Sequence, residues 1–254
     1  MKRSWLAGIG IGLILVLVTI CIVLASGGDG QVLTCGARAL TNTELGYYYW
    51  SEFFYFSEAY GDYLEGTVDF SRPLDGQAYD DSRSWQDFLL DETLSTVRDT
   101  LAMTQEAEAE GFTLPGEYDG TYQQVLVNFA AAATEGGYGS TEAYLQASYG
   151  HGATEESFRS YLHDVHLAAA YADLLLEQCS PTDAECRSYF ADHQAEYEQY
   201  YDAVADDETT WLEQAREELQ TERYQNEILR IRSGYPCQVR YEAIHLTAPE
   251  GLYE

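Results

Sequence analysis

The sequence predicts a mostly α protein, with an N-terminal membrane helix and a small two-stranded β element joining the two ends of a helical domain. Three observations carry this. Residues Trp5 to Ala25 form an uncharged apolar run of 21 residues. Helical periodicity with recognisable caps then fills most of the chain. Near the C-terminus the period switches to alternation over Gln238–Leu246.

The apolar run is long enough to cross ~30 Å of hydrocarbon as a helix. Lys2 and Arg3 precede it and acids follow it, which places the N-terminus inside and the bulk of the chain on the extracytoplasmic side of a cell membrane. The rival is a cleavable signal peptide ending near Val23-Leu24-Ala25, but secretory apolar cores usually run ~7–15 residues. Cys21 lies too deep in the run, behind bulky Ile20, for lipidation. Gly8 and Gly12 fit the small-xxx-small pattern of a pairing face, a route to a homodimer; the plainer account is the ordinary glycine content of a membrane helix. Gly27-Gly28-Asp29-Gly30 reads as a linker. The expected divisions are residues 1–26 for tip and anchor, 27–36 for linker and first strand, 37–232 for the helical domain and 233–254 for the last strand and tail.

The chain carries 43 acidic and 13 basic residues, a formal net charge of −30, and Lys2 is its sole lysine. Such acidity excludes nucleic acid as a partner, because phosphates are repelled. It also excludes docking on anionic lipid through a polybasic patch. At 46% hydrophobic and 14% aromatic, the domain has enough apolar material for a core.

Thr41-Asn42-Thr43-Glu44 is a capping box. It opens a helix with the run Tyr47, Tyr48, Tyr49, Trp50, Phe53, Phe54, Tyr55, Phe56. A loop passes Arg72-Pro73-Leu74-Asp75-Gly76. Ser84 caps a second helix carrying Trp85, Phe88, Leu89, Leu94, Val97 and Leu101, which ends near Gly111. Leu114-Pro115 starts a third, stopped by Gly136-Gly137. A short helix spans Ser140–Tyr149. Thr154-Glu155-Glu156 starts the next, and Thr182-Asp183-Ala184-Glu185 is a second capping box. A long charged helical region follows to about Arg232, with a break near Ala205-Asp206-Asp207. Gly234-Tyr235-Pro236 marks a turn before the final strand, for which Gln31–Cys35 is the only good partner.

Cys35, Cys179, Cys186 and Cys237 lie outside the apolar run, an even count that suggests disulfides in an extracytoplasmic setting. Cys179 and Cys186 flank a helix–helix turn. That leaves Cys35 with Cys237, a bond that would stabilise the domain by several kcal/mol, on the order of 4, through chain restriction. Strand pairing brings the same two residues together independently.

The arrangement resembles the helical chaperone domain of the SurA and PrsA type of extracytoplasmic foldase. Three segments carry the likeness: the strand-to-aromatic-helix entry Val32–Leu45, the Ala/Glu-rich helix end Ala102-Met103-Thr104-Gln105-Glu106-Ala107-Glu108-Ala109-Glu110-Gly111-Phe112, and Pro181-Thr182-Asp183-Ala184-Glu185-Cys186-Arg187-Ser188-Tyr189-Phe190. The resemblance implies a SurA-N-like fold that binds unfolded or secreted polypeptides. A parvulin prolyl-isomerase domain commonly follows in that family. It needs about 90 residues, two facing histidines and a Gly-Gly-rich hallmark. The stretch between Tyr197 and Pro249 offers no such module, so no enzymatic activity is expected.

His163 and His166 share a helix face at i, i+3, but a third metal ligand is missing, so they read as ordinary helix histidines. His151, His193 and His245 have no recognisable partners. Asp206-Asp207-Glu208 lacks the spacing and glycine of a calcium loop. No zinc-protease, nucleophile-elbow or phosphate-loop motif occurs, and neither a metal nor a cofactor is expected. The aromatic run is the best candidate surface, because neighbours ~100° apart on a helix cannot all enter one core. Tyr47, Tyr48, Trp50, Phe53 and Phe54, with Trp85 and Phe88 on the second helix, are the candidate client contacts. The competing functions are an envelope module with a dedicated partner and, further off, a divergent prolyl isomerase.

Overall fold

A computed structural model describes residues 30–200 and 208–253. The expected anchor Trp5–Ala25, the Gly8/Gly12 face, the start of the glycine linker, Cys21 and the break at Ala205-Asp206-Asp207 lie outside the described residues. Among the described residues, no helix is long and apolar enough to cross a membrane.

The described chain is mostly helical. Strands β1 (Gln31–Cys35) and β2 (Arg38–Thr41) lead into α1 (Asn42–Tyr60). Then come α2 (Trp85–Ala109), α3 (Gly116–Glu135), α4 (Thr141–Tyr149), α5 (Glu155–Gln178), α6 (Asp183–Tyr200), α7 (Glu208–Gly234) and β3 (Cys237–Val239). The caps lie where the hydroxyls predict. Thr41 and Glu44 close a reciprocal capping box on α1, as do Ser84 and Asp87 on α2, and Thr154 and Ser157 on α5. The Thr182 amide donates to the Glu185 carboxylate at 2.8 Å ahead of α6.

The sheet has three strands in the order β2-β1-β3, all antiparallel, where the sequence suggests two. The additional strand exists because Gly36, with φ +57°, turns the chain back directly after β1. A Cβ at Gly36 would stand 2.6 Å from Gln105 Oε1, so the close approach of α2 demands glycine there. Gln105 locks the turn to α2: its Nε2 donates to the Cys35 carbonyl at 3.0 Å, and its Oε1 accepts from the Ala37 amide at 2.7 Å.

The C-terminal strand is shorter than Gln238–Leu246. Pairing stops at Val239, and a 3-10 turn at Tyr241–Ala243 follows. The tail is instead held by side chains of α1. Asn42 donates to the Ala243 carbonyl at 2.9 Å and accepts from the His245 amide at 2.7 Å. Trp50 Nε1 donates to the Thr247 carbonyl at 2.8 Å.

Cys35 and Cys237 face each other across β1 and β3 and are disulfide-bonded, closing a separation of 202 residues. The second expected bond is absent: Cys179 and Cys186 are free thiols. The Thr182–Glu185 capping box starts α6 at Asp183, and Cys186 in its first turn is buried, whereas Cys179 just past α5 is half-buried.

Several of the few cations clasp α7 onto its neighbours. Arg223 meets Glu185 of α6 at 2.6 Å, Arg230 meets Glu106 of α2 at 2.6 Å, and Arg232 grips Asp99 of α2.

Candidate functional site

Helix α1 is aromatic on all sides, and its two halves meet different surroundings. In the first half every side is covered. The Tyr47 ring packs edge-on against Tyr149 and Phe158, with centroids 4.9 and 5.4 Å away, and its hydroxyl hydrogen-bonds Ser157 at 2.8 Å. Burial pushes that phenol's pKa up. Tyr48 packs on Tyr161 at 4.7 Å, its hydroxyl buried without a partner. Burial raises its pKa strongly, and nearby Asp164 adds to the effect. Trp50 and Phe53 lie in a cluster with Tyr49, Val68, Leu74, Trp85 and Leu89.

This corrects the expected contact set. Tyr47, Tyr48, Trp50, Phe53 and Trp85 are all buried core residues, so none presents a surface to a client. Helices α4 and α5 cover the face that periodicity left unassigned. Of the expected residues, Phe54 is exposed and Phe88 half-buried.

Beyond Phe53 the cover ends on one side. Phe54 and Tyr55 continue the stripes of Tyr47 and Tyr48 two turns on, at i+7. They are 46% and 62% exposed. On the adjoining face a chain of rings reaches the surface: Tyr60 on Phe56 at 4.9 Å, Phe56 on Phe88 at 5.9 Å, and Phe88 stacked on Tyr79 at 4.3 Å. The Arg83 guanidinium lies 5.1 Å from the centre of the Tyr79 ring. Tyr63, just past the helix, is exposed. Tyr55 and Phe56 stood in the aromatic run and could have been separated from the core set by asking where a crossing helix ends. Tyr60, the last residue of α1, and Tyr79, placed by the loop before α2, carried no sequence signal.

Carboxylates border this surface. Glu52 precedes Tyr55 by three residues and Phe56 by four, and Glu92 follows Phe88 by four, so each lies on the same helix face as those rings. Partial burial raises the Glu52 pKa, and the neighbouring Glu92 charge raises it further.

The buried polar centre is elsewhere. The Asp164 carboxylate is nearly inaccessible, 3.5 Å from Arg38, which also meets Glu108 at 2.6 Å. Burial raises its pKa and the Arg38 charge opposes the rise. This group ties β2 to α2 and α5. His163 lies 3.8 Å from Asp164, while His166 Nδ1 is held 2.8 Å from the Leu162 carbonyl, so the two histidines do not converge. Among the described residues, no group of three or more potential ligands is placed to hold a metal ion. A cavity of about 510 Å³ opens between α4 and the tail, lined by Tyr138, Gln146, His151, Thr247 and Glu250 among others.

No family model, curated protein or solved structure matches this chain.

Proposed function

We propose that this chain is a membrane-attached, extracytoplasmic chaperone-like protein that binds unfolded or secreted polypeptides and has no isomerase site of its own. The observation that carries the reading is the uncovered aromatic surface at the far end of α1. Exposed aromatics linked ring to ring offer area to apolar segments of a client without demanding a particular sequence. The Cys35–Cys237 bond fits an oxidising compartment, and the apolar run Trp5–Ala25 supplies the attachment.

The test is aggregation of a reduced, unfolded secretory protein with the full chain in phosphatidylcholine nanodiscs. Suppression by the wild type, lost in a Phe54→Ser/Tyr55→Ser/Tyr60→Ser variant of unchanged stability, is the expected result. Equal suppression by both would remove this surface from the account. A second reading, a divergent prolyl isomerase, draws on the cavity beside His151. Following prolyl isomerisation in the same preparation decides it: catalysis abolished by His151→Ala supports that reading, and none is expected.

A further inference from the structure

We propose that the aromatic surface of α1 and α2 selects polypeptide segments that carry lysine or arginine, seating the cation between Glu52, Glu92 and the rings of Tyr55, Phe56 and Phe88. The inference rests on the polypeptide-binding reading and names the chemistry of the client.

The argument starts from charge. Phe56 of α1 and Phe88 of α2 lie 5.9 Å apart, and the end of α1 packs on the start of α2. Glu52, one turn before Phe56, and Glu92, one turn after Phe88, therefore stand on facing stretches of the two helices. Among the described residues neither makes an ion pair. Two neighbouring, unneutralised carboxylates, Glu52 half-buried and Glu92 exposed, favour an incoming positive charge. Arg83, the cation at the near edge, is occupied, 2.8 Å from Asp80 and 3.7 Å from Asp91.

The rings supply the second half of the site. A cation over an aromatic face is attracted by the ring quadrupole, most strongly where water is partly excluded. The surface already contains one instance, Arg83 over Tyr79. Glu52 with Tyr55 and Phe56, and Glu92 with Phe88, repeat the combination of ring and carboxylate with no cation in place. An apolar stem ending in a charge matches both parts, because lysine and arginine lay their methylenes on rings and direct the head group to the carboxylates. The chain's net charge of −30 draws such segments in at long range.

The experiment uses two dye-labelled, unstructured peptides with identical apolar residues, one carrying lysines where the other carries glutamines. Fluorescence anisotropy is followed with the full chain in phosphatidylcholine nanodiscs, with empty nanodiscs as blank. The lysine peptide is expected to bind about tenfold tighter at low salt, with the gap narrowing as salt rises. Glu52→Gln/Glu92→Gln should remove most of that preference. Glu117→Gln/Glu142→Gln, which alters net charge equally at a distance, should keep it. Equal binding of the two peptides, or a preference that survives Glu52→Gln/Glu92→Gln, overturns the proposal while the polypeptide-binding reading stands. Failure of both peptides to bind overturns both.

Discussion

The two halves of α1 have the same kind of sequence and opposite fates. Tyr47 and Tyr48 are buried under α4 and α5, whereas Phe54 and Tyr55, on the same two stripes, face solvent. Aromatic content therefore says that a surface must be covered by something, and the path of the crossing helices decides where that cover stops. The covered half is core, and the open half is the candidate binding surface.

That contrast is broken most severely by truncating the covered half. Phe53→Ala should destabilise the fold by about 3–5 kcal/mol, read from the denaturation midpoint. Phe54→Ser, one residue on, should change it by less than about 0.5 kcal/mol. Comparable losses at both positions would mean that the open half is covered too.

Next in size is the disulfide. Cys35→Ala/Cys237→Ala should cost about 4 kcal/mol, since a very long loop is released in the unfolded chain. The covered half should suffer first, because the sheet and the tail held by Asn42 and Trp50 flank it. Thr41→Ala removes the hydroxyl that caps α1 and should cost about 1 kcal/mol, with a lower thermal midpoint.

The smallest effect concerns a region remote from both halves. The Glu185 carboxyl is pushed down to about 2, chiefly by the Arg223 guanidinium and then by the hydrogen bonds from Thr182. A depressed carboxyl contributes stability above its ordinary value of 4.5, and that contribution is lost as pH falls from there toward about 2. The α6–α7 contact should therefore loosen in acid between those values, and Glu185→Gln should flatten the dependence. An unchanged acid profile in Glu185→Gln would assign the loosening to other groups.

Much of the fold was legible in the residues. The caps at Thr41, Ser84, Thr154 and Thr182 are local, and local chemistry is written locally. The Cys35–Cys237 contact was legible because alternation and cysteine position pointed the same way. The β1–β2 turn was not, because Gly36 is required by the approach of Gln105, a residue far along the chain. The Cys179–Cys186 bond did not form: closeness in sequence leaves Cys186 buried in the first turn of α6 and Cys179 half-buried past the end of α5 as free thiols. The candidate surface was half legible. The aromatic run announced it, but which rings stay open depends on where α4 and α5 cross α1.

Hydrogen exchange of the full chain in nanodiscs, with and without a reduced unfolded polypeptide, tests the segregation of α1 most directly. Slowed exchange across residues 54–88, with residues 42–53 unchanged, is the expected result. No slowing there, or slowing confined to another face of the protein, would contradict it.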